Sequence, residues 1–298
     1  MRTIGTQQRM KTLNSTKAAI LNIAVCSALI TLCTITPLTL HAQTPDVNPP
    51  HETATTLRPA ATDQTCHRLI DNYLTVIGGK QAYINLKNLV ASGTINEAGK
   101  LKSFQLIETQ DGRRHLTYSW KVSGRPYKTV QAFDGTTTWK QELLPKQTPP
   151  VAVKGRDGIH FARQRWLMQP FVIPLKANYS FNYQGKAKVG GRPSYLIVGT
   201  GKQSERSWFY FDQQKSLLTR WGGKGTIGGV EAYMDYRATR FAQVNGVLMP
   251  KQIDLLAQNA AFGTITFDSI NANQPIDPTR FDMPRSFSPT LRQQSGQR

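Results

Sequence analysis

Acidic residues are scarce in this chain. It carries 18 Asp and Glu against 37 Lys and Arg, a formal charge of +19 over 298 residues. That balance favours anionic partners or surfaces, although a basic proteome or a need for solubility produces the same count. Cysteine is scarcer, at positions 26, 33 and 66 only. Apolar runs long enough to span a bilayer are missing beyond the N-terminal region, since a spanning helix needs about 20 mostly apolar residues. Enzyme signatures are missing too. There is no His-Glu-x-x-His zinc pattern and no Gly-x-Ser-x-Gly elbow. His51, His67, His115 and His160 have no partner at ligand spacing. No catalytic residue, metal or cofactor is therefore expected. Carboxylates that meet only in space stay open, as does an envelope hydrolase as a distant third reading.

What is present begins with a secretion signal. Arg2, Arg9, Lys11 and Lys17 are the only charges before an apolar run from Ala18 to Leu32, and Leu40-His41-Ala42 ends it in a small-residue cleavage pattern. Basic start, apolar middle and small-residue exit define such a signal. The rival reading is a retained anchor, but Asn22, Ser27 and Thr31 interrupt the run. Cys26 and Cys33 lack the small preceding residue of a lipidated cysteine. With cleavage near Ala42, 256 residues remain at a charge of +15. Export makes nucleic acid an unsuitable partner and a periplasmic location the expectation. Cys66 is left as the lone thiol. That excludes an intramolecular disulfide and leaves a choice between a reactive group and a small buried one.

The expected organisation is a signal over 1–42, a flexible spacer over 43–62, one β domain over 63–284 and a disordered tail over 285–298. Cys66, Leu69, Ile70, Tyr73, Leu74 and Ile77 recur at helical spacing, capped by Asp63 or Thr65 and stopped by Gly78-Gly79. A second short helix fits Lys80 to Leu86. The period then changes to two. Leu116, Tyr118, Trp120 and Val122 alternate with His115, Thr117, Ser119 and Lys121, the pattern of a half-buried strand. Similar runs cover Leu89–Ile95, Lys102–Thr109, Tyr127–Phe133, Thr138–Leu143, Tyr179–Gln184, Ser194–Gly199, Ser207–Asp212, Ser216–Trp221, Val230–Arg240, Val247–Leu255 and Phe262–Ile270. Asp111-Gly112, Asp134-Gly135, Gly190-Gly191 and Asn245-Gly246 supply hairpin turns. Asp157–Pro170 reads as helical. Gly222-Gly223-Lys224-Gly225 with Gly228-Gly229 lacks the ending of a phosphate loop and reads as a flexible hairpin tip.

The fold expected is mainly β: a curled antiparallel sheet of about eleven or twelve strands, an unclosed half-barrel, with one or two helices covering its concave face. So many strands cannot stay flat and open. If part of the concave face is left empty, it forms an apolar groove. The candidate lining residues, chosen by side-chain size, are Tyr118, Trp120, Trp139, Phe161, Trp166, Phe171, Phe209, Phe211 and Trp221.

Several ordered pieces resemble the LolA/LolB-like periplasmic lipoprotein-carrier superfamily, the outer-membrane lipoprotein-sorting family. They are Tyr73 to Gly79 with Leu86-Lys87-Asn88-Leu89 and Ser92-Gly93-Thr94; Phe133-Asp134-Gly135 with Trp139; Tyr183 to Lys186 with Val189 to Tyr195; Tyr210-Phe211-Asp212 with Leu217 to Arg220; and Asn245 to Pro250. The chain is longer than the established carriers and has no lipidation site. The resemblance implies an unclosed β-barrel with helices in its mouth, and a periplasmic, non-enzymatic carrier for a lipid or lipoprotein acyl chain. The alternative is an envelope sensor, regulatory or assembly protein that binds a protein partner with the same fold. Peripheral contact with an anionic envelope surface and a monomeric state go with either. A filled interior, with the Asp157–Pro170 segment packed on the sheet, favours the second reading over the first.

Overall fold

In the computed structural model, residues 64–172, 175–202, 204–227 and 230–285 are described. The expected signal, its cleavage site, the spacer and the tail beyond residue 285 lie outside them. Helix α1 (Gln64–Val76) and helix α2 (Lys80–Ile84) open the body. The stripe read from the sequence is the face α1 buries: Cys66, Leu69, Ile70, Tyr73 and Leu74 are all inaccessible or nearly so. Gly78 stops the helix at φ 128°. It must be glycine, because a Cβ there would lie 2.0 Å from the carbonyl oxygen of Gly246.

Two antiparallel meanders follow. The first comprises β1 (Asn88–Glu97), β2 (Lys100–Thr109), β3 (Arg114–Val122), β4 (Arg125–Phe133), β5 (Thr138–Leu144) and the two-residue β6 (Val151–Ala152). After helix α3 (Gly155–Arg163), the second comprises β7 (Tyr179–Val189), β8 (Arg192–Gly201), β9 (Arg206–Asp212), β10 (Leu218–Ile227), β11 (Val230–Val244), β12 (Val247–Ala257) and β13 (Ala260–Ala272). β1 and β13 pair antiparallel and join the meanders into one sheet, ordered β6-β5-β4-β3-β2-β1-β13-β12-β11-β10-β9-β8-β7. The sheet is open, mainly β and antiparallel, as expected. Among the described residues the chain has thirteen strands, where about eleven or twelve are expected, and three α-helices, where one or two are expected. The added strand is β6, too short to show an alternating pattern.

Alternation gives the sheet one apolar face. Leu89, Ala91, Phe104, Leu106, Leu116, Phe181, Ile197, Phe209, Phe211, Trp221, Ile253, Ile265 and Phe267 point to it and are buried in one core with α1. A smaller cluster on the opposite face holds Val198, Trp208 and Tyr210.

The strand order has one topological consequence. The two edges, β6 and β7, are consecutive in the chain, so the segment that links them, described over 153–172 and 175–178, crosses the opening between them. α3 is the first half of that strap. Gly158 lets it seat against the first edge, since a Cβ there would meet the Val153 carbonyl at 2.2 Å. Thr138 Oγ1 donates to the Gly158 carbonyl at 2.9 Å. On the other side His160 Nδ1 lies 3.1 Å from the Lys224 carbonyl and so donates to it. Gly222, Gly223 and Gly225 belong to β10 rather than to a hairpin tip. Cβ atoms at Gly223 and Gly225 would meet Gln164 at 2.1 Å and His160 at 2.8 Å. Glycine is there so that the strap can lie on the strand.

Candidate functional site

The expected helix over Asp157–Pro170 ends at Arg163, where Gln164 leaves the helical region at ψ 89°. The cause lies on β2. Glu108, wholly buried, accepts the backbone N–H of Trp166 at 2.9 Å through Oε1, and those of Leu167 and Met168 at 3.1 and 2.9 Å through Oε2. Buried amides need acceptors, and one carboxylate serves three that a helix would have turned toward carbonyls. Its charge is matched by Arg114, its partner in the β2–β3 register, with Nε 3.3 Å from Oε1. The Arg114 guanidinium is sandwiched by aromatic rings, 4.7 Å from the Phe161 ring centre and 4.9 Å from that of Trp166. Tyr83 Oη accepts from Gln169 N at 2.7 Å. Trp221 Nε1 donates to the Arg165 carbonyl at 2.8 Å.

Residues 164–172 therefore form a plug in the concave face. Phe171 meets Tyr73, Phe181, Phe209 and Phe211, with ring centres 5.1–5.9 Å apart. Trp166 packs edge-on against Phe104 and Phe267. Of the nine expected groove residues, Phe161, Trp166, Phe171, Phe209, Phe211 and Trp221 share this core, each at most 7% exposed. Trp166 and Phe171 fill the concave face rather than line a space in it. Tyr118 packs at the margin of the core, half-buried. Trp120 is half-buried beyond it, stacked on Tyr127 at 5.5 Å with Lys102 nearby. Trp139 is set apart, in a cluster with Val130 and Ala132, and donates from Nε1 to the Phe281 carbonyl at 2.7 Å.

Open space lies on the two sides of α3 instead: one cavity reaches onto the opposite face of the sheet, and the other lies at the mouth. The first, of about 530 Å3, has Ile159, Val198, Trp208 and Tyr233 in its wall and Arg156, Arg206 and Lys224 beside them. The other, of about 660 Å3, lies between the Asp111-Gly112 and Gly135–Thr138 turns, α3 and the plug. Both fall in the range of ligand sites. The larger is polar, and its wall includes Lys154, Arg163, Arg165 and Lys202. Arg165, 3% exposed, donates to the carbonyls of Gly112 at 2.6 Å, Thr109 at 2.9 Å and Arg113 at 3.3 Å.

Two half-buried histidines are held neutral. His160 is pushed down to about 4 first by burial, against the Lys224 hydrogen bond, and His115 to about 4 by burial and then by Arg280 and Lys128. Among the described residues no group of three His, Cys, Asp or Glu is placed to hold a metal ion, and no helix is long and apolar enough to cross a membrane.

Glu108, Arg114 and Arg165 escaped the size-based selection. The first two were detectable. Glu108 follows Phe104 and Leu106, and Arg114 precedes Leu116, each at the core-facing parity of its strand.

Among the solved structures that the chain resembles are the following three. A DUF1329 family protein from Desulfovibrio piger shares 13% identity, covers 72% of this chain and 96% of its own, and has a TM-score of 0.47. An outer membrane lipoprotein-sorting protein domain from Vibrio parahaemolyticus shares 9%, covers 72% and 95%, and scores 0.46. A LolA superfamily protein from Nitrosomonas europaea shares 12%, covers 74% and 97%, and scores 0.46. Each is a structure that this chain is similar to. No protein-family model and no curated protein matches the chain.

Proposed function

We propose that the protein is a non-enzymatic binding protein of the cell envelope, exported to the periplasm, in which the half-barrel is a filled scaffold and the mouth engages a protein partner. One observation carries this reading: the concave face holds the protein's own plug, 164–172. Burial of an acyl chain contributes about 0.8 kcal/mol per CH2, so a long chain needs a long apolar space. Here Trp166, Phe171 and α1 occupy that space, and polar pins hold the plug in place. The +15 charge of the exported chain suits an acidic partner or surface.

Native mass spectrometry of the protein purified from its own envelope tests this. The expected result is a stoichiometric complex with a protein, no bound lipid, and no saturable uptake of a fluorescent fatty acid. Stoichiometric lipid in the purified protein, or saturable uptake, overturns it.

The carrier reading is favoured by one observation. Tyr118, Trp120 and Tyr127 form a half-buried aromatic surface that the plug leaves uncovered. Fatty-acid uptake lost on Trp120→Ala, with stability unchanged, would support it over partner binding.

A further inference from the structure

We propose that the larger cavity, at the mouth, is a binding site for a phosphate group, with Arg165 as its buried anchor. The first observation is charge. Arg163, Arg165, Lys154 and Lys202 contribute to one wall, against a single carboxylate, Asp111. That carboxylate is already committed: Arg113 Nε donates to it at 2.9 Å, and the Thr109 hydroxyl donates to it as well. Arg163 pairs with Glu205. Lys154 and Lys202 are exposed and have no ion-pair partner among the described residues. The second observation is independent of the first. Arg165 is 3% exposed, its guanidinium bonds only to neutral carbonyls, and its Nε has no hydrogen-bond partner. The nearby buried carboxylate, Glu108, is paired with Arg114. Glu108 favours the Arg165 charge from a distance, but no anion bonds the guanidinium directly; a buried cation so placed is costly, and an incoming anion relieves that cost. Burial accordingly pulls the Arg165 pKa below the usual arginine value.

The chemistry favours phosphate over a carboxylate. Several cations and an unpaired N–H around one polar space suit an ion with a double charge and more acceptor oxygens. Thr136 and Thr137 also line the cavity. A phosphomonoester lipid headgroup and inorganic phosphate present the same group. The site exists whatever partner the mouth engages, so it stands or falls apart from the partner-binding proposal.

The test is calorimetric titration of the purified chain with inorganic phosphate and with dihexanoyl phosphatidic acid, at constant ionic strength. Saturable one-to-one binding of phosphate is expected. The double variant Lys154→Glu, Lys202→Glu, at two exposed positions, should weaken it about tenfold or more. Arg165→Gln should abolish it, but that variant also removes bonds holding the plug, so the exposed pair is decisive. Lys186→Glu with Lys188→Glu on β7 changes net charge equally and should leave binding within about twofold. Equal affinity for the two probes marks a site for the bare group, and tighter binding of phosphatidic acid marks a lipid headgroup; either supports the site. No saturable binding of either probe overturns it. So does binding that is indifferent to the Lys154 and Lys202 reversals, or that falls equally with the β7 pair.

Discussion

Glu108→Gln is the substitution most diagnostic of how the interior is built. The side chains are nearly isosteric, so packing volume stays the same while charge and acceptor capacity change. The native carboxylate accepts three backbone N–H groups on its two oxygens and stands 3.3 Å from Arg114 Nε as that group's ion-pair partner. The amide keeps one oxygen and turns an NH2 toward donors. At least one plug amide then loses its acceptor, and Arg114, 3% exposed, loses its counter-charge. Adding separate bonds at about 1.5–3 kcal/mol each overcounts, because they share two oxygens and relax together. The appropriate figure is the cost of removing one partner of a buried pair, about 3–5 kcal/mol. For a domain of this size that lowers Tm by roughly 6–20 °C. Urea unfolding at pH 7, read by tryptophan fluorescence and by circular dichroism, measures it. The double variant Glu108→Leu, Arg114→Met should be less destabilised than the sum of the single variants, because no orphaned charge remains. A loss below about 1 kcal/mol for Glu108→Gln, the value of an exposed pair, would refute the claim that this carboxylate holds the plug.

Three further outcomes follow from the same geometry. Gly223→Ala places a methyl 2.1 Å from Gln164 Nε2, and should cost about 1–3 kcal/mol as overpacking while a Lys202→Ala control stays neutral by urea midpoint. Phe171→Ala should cost about 3–5 kcal/mol without raising fatty-acid uptake; tighter uptake would mean that the plug occupies a ligand's place. Acid should destabilise the protein through His160 and His115. Both titrate near 4 when folded and near 6.5 when unfolded, so the unfolded chain takes up protons first as pH falls. The stability they contribute is complete above about 6.5 and is lost on the way down to about 4. The urea midpoint should fall between pH 7 and 5, and His160→Gln should flatten that fall.

The sequence displayed far more of the fold than of the interior. Twelve strands and the stripe on α1 were legible because each is a local period, set by neighbours two, three or four residues away. β6 was not, because Val151–Ala152 is too short to have a period. The end of α3 was hidden for a different reason. The amides of Trp166 to Met168, just beyond it, are taken by Glu108, 58 to 60 residues earlier, and no local rule reports such a partner. Glycines 222, 223 and 225 read as a loose tip because glycine usually marks one. In β10, Gly223 and Gly225 answer to side chains arriving from the strap, and Gly222 to Asp235 and Trp208 on the neighbouring strands. Selection by size likewise chose Trp139, which packs apart from the main core, and passed over Trp208, whose indole donates to the buried Asp235. Parity along each strand separates these residues better than volume does.

The position of the open space follows from the strand order. An open sheet whose two edges are consecutive in the chain has to send the linking segment across its own mouth. Here that segment is apolar where it enters the concave face, at Trp166 to Val172, and cationic where it skirts the mouth, at Lys154, Arg156, Arg163 and Arg165. The apolar part completes the core and removes the space in which an acyl chain would lie. The cationic part is left at the rim, because guanidinium and ammonium groups keep to water or to oxygen ligands. A plug held by hydrophobic contact alone could slide out at modest cost. One anchored by a carboxylate to three successive amides cannot leave without stranding all three, together with Arg114. Opening the concave face would therefore require a ligand to supply replacement acceptors as well as apolar contact, which a bare acyl chain does not do. Ligands met at the mouth face no such barrier.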